Sequence, residues 1–287
     1  MRFGAHLPVA GFDGERPSAS TVMECAEAAE ALGYTTLCAN DHLLFAVPWT
    51  DGLVALGAAA ARTKSISLMT TAALLVVRGA APLGSALVAL QHLSGGRLRV
   101  GLTPGSTMAD YEAVGIPFDE RWSRFDAGIA ALRSYLEHAD PAAGIPLWVA
   151  SWGSEAGLRR VARHGDGWLA SAYHATAEHF SQSIAYLAAQ LELLGKSPGA
   201  FPNAIATMYM HLTDDPAKAN TVLGMLVSPR QAPADLRDRS LVGTPAECVR
   251  KVQMLQAAGA QQVFVWPIGD EVNQLRRFAD EVVPHFA

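Results

Sequence analysis

The chain has 287 residues, 50% of them apolar and 17% charged, enough for one large α/β domain or two small ones. Its formal net charge of -5, with no block of consecutive Lys or Arg, excludes the electrostatic footprint of a nucleic-acid or anionic-membrane binder and points to small-molecule ligands. Cys25, Cys38 and Cys248 are odd in number and never at Cys-x-x-Cys spacing, so neither disulfides nor a zinc site is suggested, and all three read as reduced core thiols.

The first apolar run, RFGAHL (2 to 7), predicts a strand that ends around His6 and Pro8. Asp13 and Glu15 follow where a signal peptide needs an unbroken apolar core, which predicts a cytoplasmic protein. Thr21 with Glu24 three residues later reads as a capping box, and Val22, Ala26, Ala29 and Leu32 then share a helical face that Gly33 ends. TTLCA (35 to 39) predicts the second strand and runs straight into Asn40, Asp41 and His42; SISLMTT (65 to 71) predicts the third, ending in Thr70 and Thr71. The greasiest stretches, 53 to 61 and 72 to 77, are less than half of the roughly 20 residues that span a bilayer, so no membrane segment is expected. Gly95, Gly96 and Arg97 read as a turn before RLRVGLT (97 to 103), after which come Gly105 and Ser106.

Residues 120 to 136 place Trp122, Phe125, Ile129, Leu132 and Leu136 on one helical face, all expected in the core, as is Met208 in a later strand. PLWVAS (146 to 151) predicts strand five, followed by Trp152, Gly153 and a short helix opening at Ser154 and ending at Gly165. GWLAS (167 to 171) and AIATMYMHL (204 to 212) are further strands, and the polar, proline-rich residues 213 to 240 read as a long excursion beside the active site. Thr244, Pro245 and Glu247 open the last predicted helix, with Val249, Val252 and Leu255 on its stripe and Gly259 as its stop, before the eighth strand, QVFVWP (262 to 267). Eight apolar strands separated mainly by helices predict a single (β/α)8 TIM barrel over residues 1 to 287.

In such a barrel the chemistry sits just after each strand, so the polar residues named above are the candidates. A lone histidine follows strand one and none of the nine stands at metal-ligand spacing with another, so no metal site is expected. From the residues alone, Asp41 and His42 fit either a loop cap or a reacting site. The Gly153, Ser154, Glu155 junction fits either an ordinary serine cap or a phosphate cradle of free N–H groups at a helix start.

The runs AEALGYTTLCANDH, RTKSISLMTTAALL, PLGSALVALQHLSGGRLRVGLTPG, DYEAVGIPFDERWSRFDAGIAALR, IPLWVASWGSEAGLRRVARHGDGW and VGTPAECVRKVQMLQAAGA, in that order, resemble the bacterial-luciferase-like monooxygenase superfamily. That resemblance implies a barrel using FMN or the deazaflavin coenzyme F420, and Asp41 beside His42 is similar to the F420-dependent branch. It implies hydride transfer between F420, or alternatively FMN, and a small organic substrate; an FMN monooxygenase or a silent flavin-binding barrel are the other readings. His42 is then catalytic, beside the ring. Asp41, Thr70, Thr71, Ala72, Gly105, Ser106, Ser151, Trp152, Gly153, Ser154 and Glu155 would surround the cofactor, with a non-proline cis peptide at Thr71 and Ala72, and His6 and Trp49 would face the substrate. The partners implied are that substrate and, as the assembly considered, a second copy in a homodimer. Three departures set this chain apart: Ser106 where sugar-phosphate dehydrogenases of the branch carry a glutamate, Ala46 where the branch often has tryptophan, and a short HADPAAGIP segment.

Overall fold

A computed structural model describes residues 1–226 and 233–286; the stretch 227–232 of the predicted excursion lies outside the described residues. In chain order the elements are β1 (Arg2–His6), α1 (Ala19–Ala31), β2 (Thr36–Ala39), α2 (Gly52–Arg62), β3 (Ser67–Leu74), α3 (Leu75–Arg78), α4 (Ala80–Leu93), β4 (Leu98–Thr103), α5 (Met108–Glu112), α6 (Arg121–Ala139), β5 (Leu147–Ser151) and α7 (Glu155–His164). They continue with β6 (Trp168–Ser171), α8 (Ala177–Leu193), β7 (Asn203–Leu212), α9 (Pro216–Leu226), α10 (Pro233–Asp238), β8 (Leu241–Gly243), α11 (Pro245–Ala257), β9 (Gln262–Pro267) and α12 (Glu271–Glu281).

Each strand from β1 to β7 pairs in parallel with the next, and β7 and β1 both pair with β9, which closes a barrel of eight. All eight predicted strands are present. The three-residue β8, too short to show a period, was not foreseen; it adds to the far half of β7 at Met210 to Leu212. Helices cover the outside and side chains fill the inside, so the strands carry near-continuous apolar runs, and all ten residues of β7 are buried. Burial pushes the Cys25 and Cys248 thiols up to about 12, and Cys38 is buried as well. Among the described residues no helix is long and apolar enough to cross a membrane.

Two expectations are corrected. The first helix is capped not by Thr21 but by Ser18, whose hydroxyl accepts from the Thr21 amide at 3.1 Å. Both residue types cap through a side-chain oxygen, serine somewhat better, and pattern alone did not separate two candidates three residues apart. Trp122 is 43% exposed, whereas Phe125, Ile129, Leu132 and Leu136 are buried. The first turn of α6 stands at the mouth of the barrel, so the face that meets the wall further down meets the cavity there. The predicted capping box at Thr244 and Glu247 is present with Pro245 behind it, and Met208 is buried. Gly95 and Gly96 take positive φ in the turn before β4, while Arg97 donates to the carbonyls of Ala60, Thr63, Ile66 and Ser94, a structural role.

Two strands depart from regular pairing where it matters. The β3–β4 register shifts between Thr70 and Ala73, and the Thr71–Ala72 peptide is cis, as the resemblance implied. Across the barrel the β7–β9 register shifts between Ile205 and Met208, and Thr207, a β-branched residue, has φ 61°. A left-handed conformation there costs about 1–3 kcal/mol and persists only where surrounding contacts hold it.

Candidate functional site

A cavity of about 700 Å³ opens at the C-terminal ends of β2 to β7, the volume range of small-molecule and cofactor sites. Small side chains, Ala72, Ala150, Ala170 and Ala206, line it together with Leu169. Trp152 and Trp122 flank it, both half-exposed.

His42 is set in this wall by Asp110 of α5 and by two aromatic side chains of its own loop. Its Nδ1 lies 2.8 Å from Oδ2 of Asp110 on α5, and the other Asp110 oxygen accepts from the amides of Leu43 at 2.7 Å and Leu44 at 2.8 Å. The carboxylate is fully buried; burial alone would push its pKa up, but the bonds from His42 and from those two amides outweigh this and hold it below the ordinary value. An acceptor-only carboxylate on Nδ1 puts the proton there and leaves Nε2 with a lone pair in the neutral ring. The imidazole is held on its faces by Phe45, stacked at 4.4 Å, and by the edge of Trp49 at 4.8 Å. Asp41 also lines the cavity, but its oxygens accept from Arg78 at 2.6 and 2.7 Å and from the Leu74 amide at 2.9 Å. Arg78 bridges on to Asp51 at 2.5 Å, and Asp51 caps α2. The loop that carries His42 is therefore tied to β3, α3 and α2.

His6 is fully buried behind the cavity wall, stacked flat on Trp266 at 4.8 Å. Burial lowers its pKa to about 3, so the ring is neutral, and its Nε2 accepts from the Thr207 amide at 3.0 Å. Its Nδ1 is 3.5 Å from the Thr71 hydroxyl, which donates to Oδ1 of Asn40 at 2.9 Å; the Asn40 amide nitrogen in turn lies 3.4 Å from the Thr207 hydroxyl. His6 and Asn40 thus bridge the two irregular strands.

At the other end, α7 begins with the predicted serine: Ser154 Oγ accepts from the Gly157 amide at 3.2 Å. Gly153 has φ 93°, and a Cβ there would lie 2.4 Å from His179 and 2.6 Å from the Ser183 hydroxyl, so only glycine fits. Arg121, Arg160, His174 and His179 line this end, with Arg160 paired to Asp126 and lying over the Trp122 ring at 4.7 Å. Trp152 stacks on His174 at 4.3 Å.

Of the residues singled out in the sequence, Asp41, His42, Thr71, Ala72, Gly105, Ser106, Ser151, Trp152 and Ser154 line this one cavity. Thr70 donates to the Gly101 carbonyl inside the wall, and Glu155 is exposed and pairs with Arg159 at 3.3 Å. Gly153 shapes the turn under Ser154; His6 and Trp49 stand one layer behind the lining. Missed altogether were Asp110, Asn40 as a bridge, Arg121, Arg160, His174, His179 and Thr207. Among the described residues no group of three or more His, Cys, Asp or Glu is placed to hold a metal ion.

The parallel barrel carries, at its strand ends, a cavity of the size that small molecules and cofactors occupy, with a clamped histidine in its wall. Residues 1–234 match the luciferase-like monooxygenase family profile, and the chain belongs to that family. It is 26% identical over 220 residues to the 5,10-methylenetetrahydromethanopterin reductase of Methanolobus tindarius, an alignment that covers 71% of this chain and 65% of that protein's length. Among solved structures, monooxygenase RslO1 from Streptomyces bottropensis superposes with a TM-score of 0.84 at 22% identity, covering 100% of both chains. An F420-dependent secondary alcohol dehydrogenase in complex with an F420-acetone adduct superposes with a TM-score of 0.86 at 17% identity, covering 100% of this chain and 99% of that one. These two superpositions establish the shared fold.

Proposed function

We propose that this protein is an oxidoreductase that transfers a hydride between coenzyme F420, with FMN as the alternative, and a small organic substrate. The observation that carries this reading is the His42–Asp110 pair, which fixes one tautomer of an imidazole at the wall of a cofactor-sized cavity. The residues present fit a flat ring with an anionic tail. Small side chains on four strands line the slot, and the start of α7 with His179 supplies donors, and Arg121 and Arg160 positive charge, for a phosphate. In this reading Thr71, Ala72, Gly105 and Ser106 border the ring, Ser151, Trp152 and Ser154 border the tail, and Asp41 holds the loop. When bound, the cofactor supplies the acceptor or donor of the hydride. His42 handles the proton: neutral, its Nε2 takes the proton from a substrate hydroxyl; protonated, it returns one to a carbonyl oxygen. Asp110 keeps the ring in register in both directions and balances the imidazolium.

Anaerobic titration of the purified protein with F420 and with FMN tests the cofactor. Saturable binding of F420 in preference to FMN is expected; tightly held FMN with indifference to F420 would reverse the ranking. His42→Ala should lower the single-turnover hydride-transfer rate about 10²- to 10⁴-fold with little change in cofactor affinity. If affinity collapsed while the rate held, His42 would be a binding residue.

A further inference from the structure

The left-handed Thr207 has no part in the reading above, yet the chain maintains it in the middle of a buried strand. Its conformation turns the backbone N–H to His6 Nε2 and leaves its side chain on the cavity side, against Asn40. The proton directions around it follow in order. His6 accepts on Nε2, so its proton is on Nδ1, facing the Thr71 hydroxyl. Thr71 therefore spends its own proton on Asn40 Oδ1, and Asn40 presents its NH₂ to the Thr207 oxygen. The hydroxyl of Thr207 accepts there and has no acceptor for its own proton among the described residues. It is a neutral, buried donor that lines the same cavity as Ala72, Ala170 and Ala206. A neutral donor in apolar surroundings recognises an uncharged acceptor such as a ring carbonyl, and leaving it unmatched costs affinity.

Building on the proposed cofactor reading, we propose that Thr207 donates a hydrogen bond to a carbonyl oxygen on the pyrimidinedione edge that F420 and FMN share, and that Asn40 aims this donor. The test is fluorescence titration of the two cofactors, each alone, without turnover. Thr207→Val should raise the Kd of both roughly 5- to 10-fold, whereas Thr207→Ser should stay within about twofold. Asn40→Asp turns the Thr207 proton away from the cavity; it should weaken binding in the wild-type background and cost measurably less on top of Thr207→Val, the signature of two residues acting through one bond. Should Thr207→Val fail to fold, the comparison of Asn40→Asp with Thr207→Ser in the folded protein decides, because aiming predicts that Asn40→Asp alone is damaging. Unchanged affinity in Thr207→Val, or an Asn40→Asp effect of equal size in both backgrounds, overturns the inference while leaving the cofactor reading standing. Wild-type protein that binds neither cofactor overturns both.

Discussion

Asp110→Asn isolates the role of the clamp on His42. The replacement amide keeps an oxygen where Oδ1 accepts from Leu43 and Leu44 at 2.7 and 2.8 Å, so the loop retains its backbone anchors. At the other position an NH₂ now faces Nδ1 across 2.8 Å, and only a ring with its proton on Nε2 can accept it. The bond becomes neutral, a loss of about 1 kcal/mol from the difference between charged and neutral hydrogen bonds, so the fold should survive. The tautomer should invert. Nitrogen chemical shifts of ¹⁵N-histidine-labelled protein, followed into alkaline buffer until the ring is neutral, read this directly without any substrate. Wild type should show the His42 proton on Nδ1 and the variant on Nε2, and hydride transfer should fall about 10²- to 10⁴-fold with the base disabled. A wild-type proton on Nε2, or an unchanged tautomer in the variant, would refute the clamp.

The buried His6 makes stability depend on acid. Its folded value of about 3 lies below the ordinary 6.5, so between these the unfolded chain takes up a proton that the fold refuses; stability falls as pH drops through that window, by about 1.4 kcal/mol per unit, and His6→Gln should flatten urea midpoints compared at pH 7 and pH 5. Arg78→Met strands the buried Asp41 carboxylate and should cost about 3–5 kcal/mol in chemical denaturation; a loss under 1 kcal/mol would mean that Asp41 is otherwise satisfied. Gly153→Ala combines a left-handed backbone with a clash against His179 and should lower stability by about 2–5 kcal/mol, read as a drop in Tm. Ser154→Asp would set a carboxylate against the proposed phosphate end and should weaken cofactor binding at least tenfold, about 1.4 kcal/mol; equal Kd values would remove that end from the site.

The barrel was legible because both faces of each strand are buried, so eight apolar runs stand out against polar loops, and because Gly33, Gly165 and Thr244 punctuate the helices through backbone conformation and capping. His42 was legible by its place after such a run. Asp110 was not: its partner is 68 residues away, and it sits in a five-residue helix with no period to mark it. The available signal was its position shortly after β4, four residues beyond Ser106. Thr207 lies within a run of ten buried residues, so its polarity looked like ordinary strand content, and only the folded backbone, through the register shift and the positive φ, exposes it. Trp122 followed the helical period faithfully, but that period gives the direction of a side chain and not whether wall or cavity meets it.

Four alanines of β3, β5, β6 and β7, Ala72, Ala150, Ala170 and Ala206, line the cavity, and none has a side-chain hydrogen bond to lose. The size of the slot is therefore a dimension open to variation: exchanging one of these alanines for valine or leucine adds bulk to the lining and removes no hydrogen bond of the proton chain or the histidine clamp. A lineage exploring new ligands can change the permitted length and width in small, separable increments while the reacting groups stay in place.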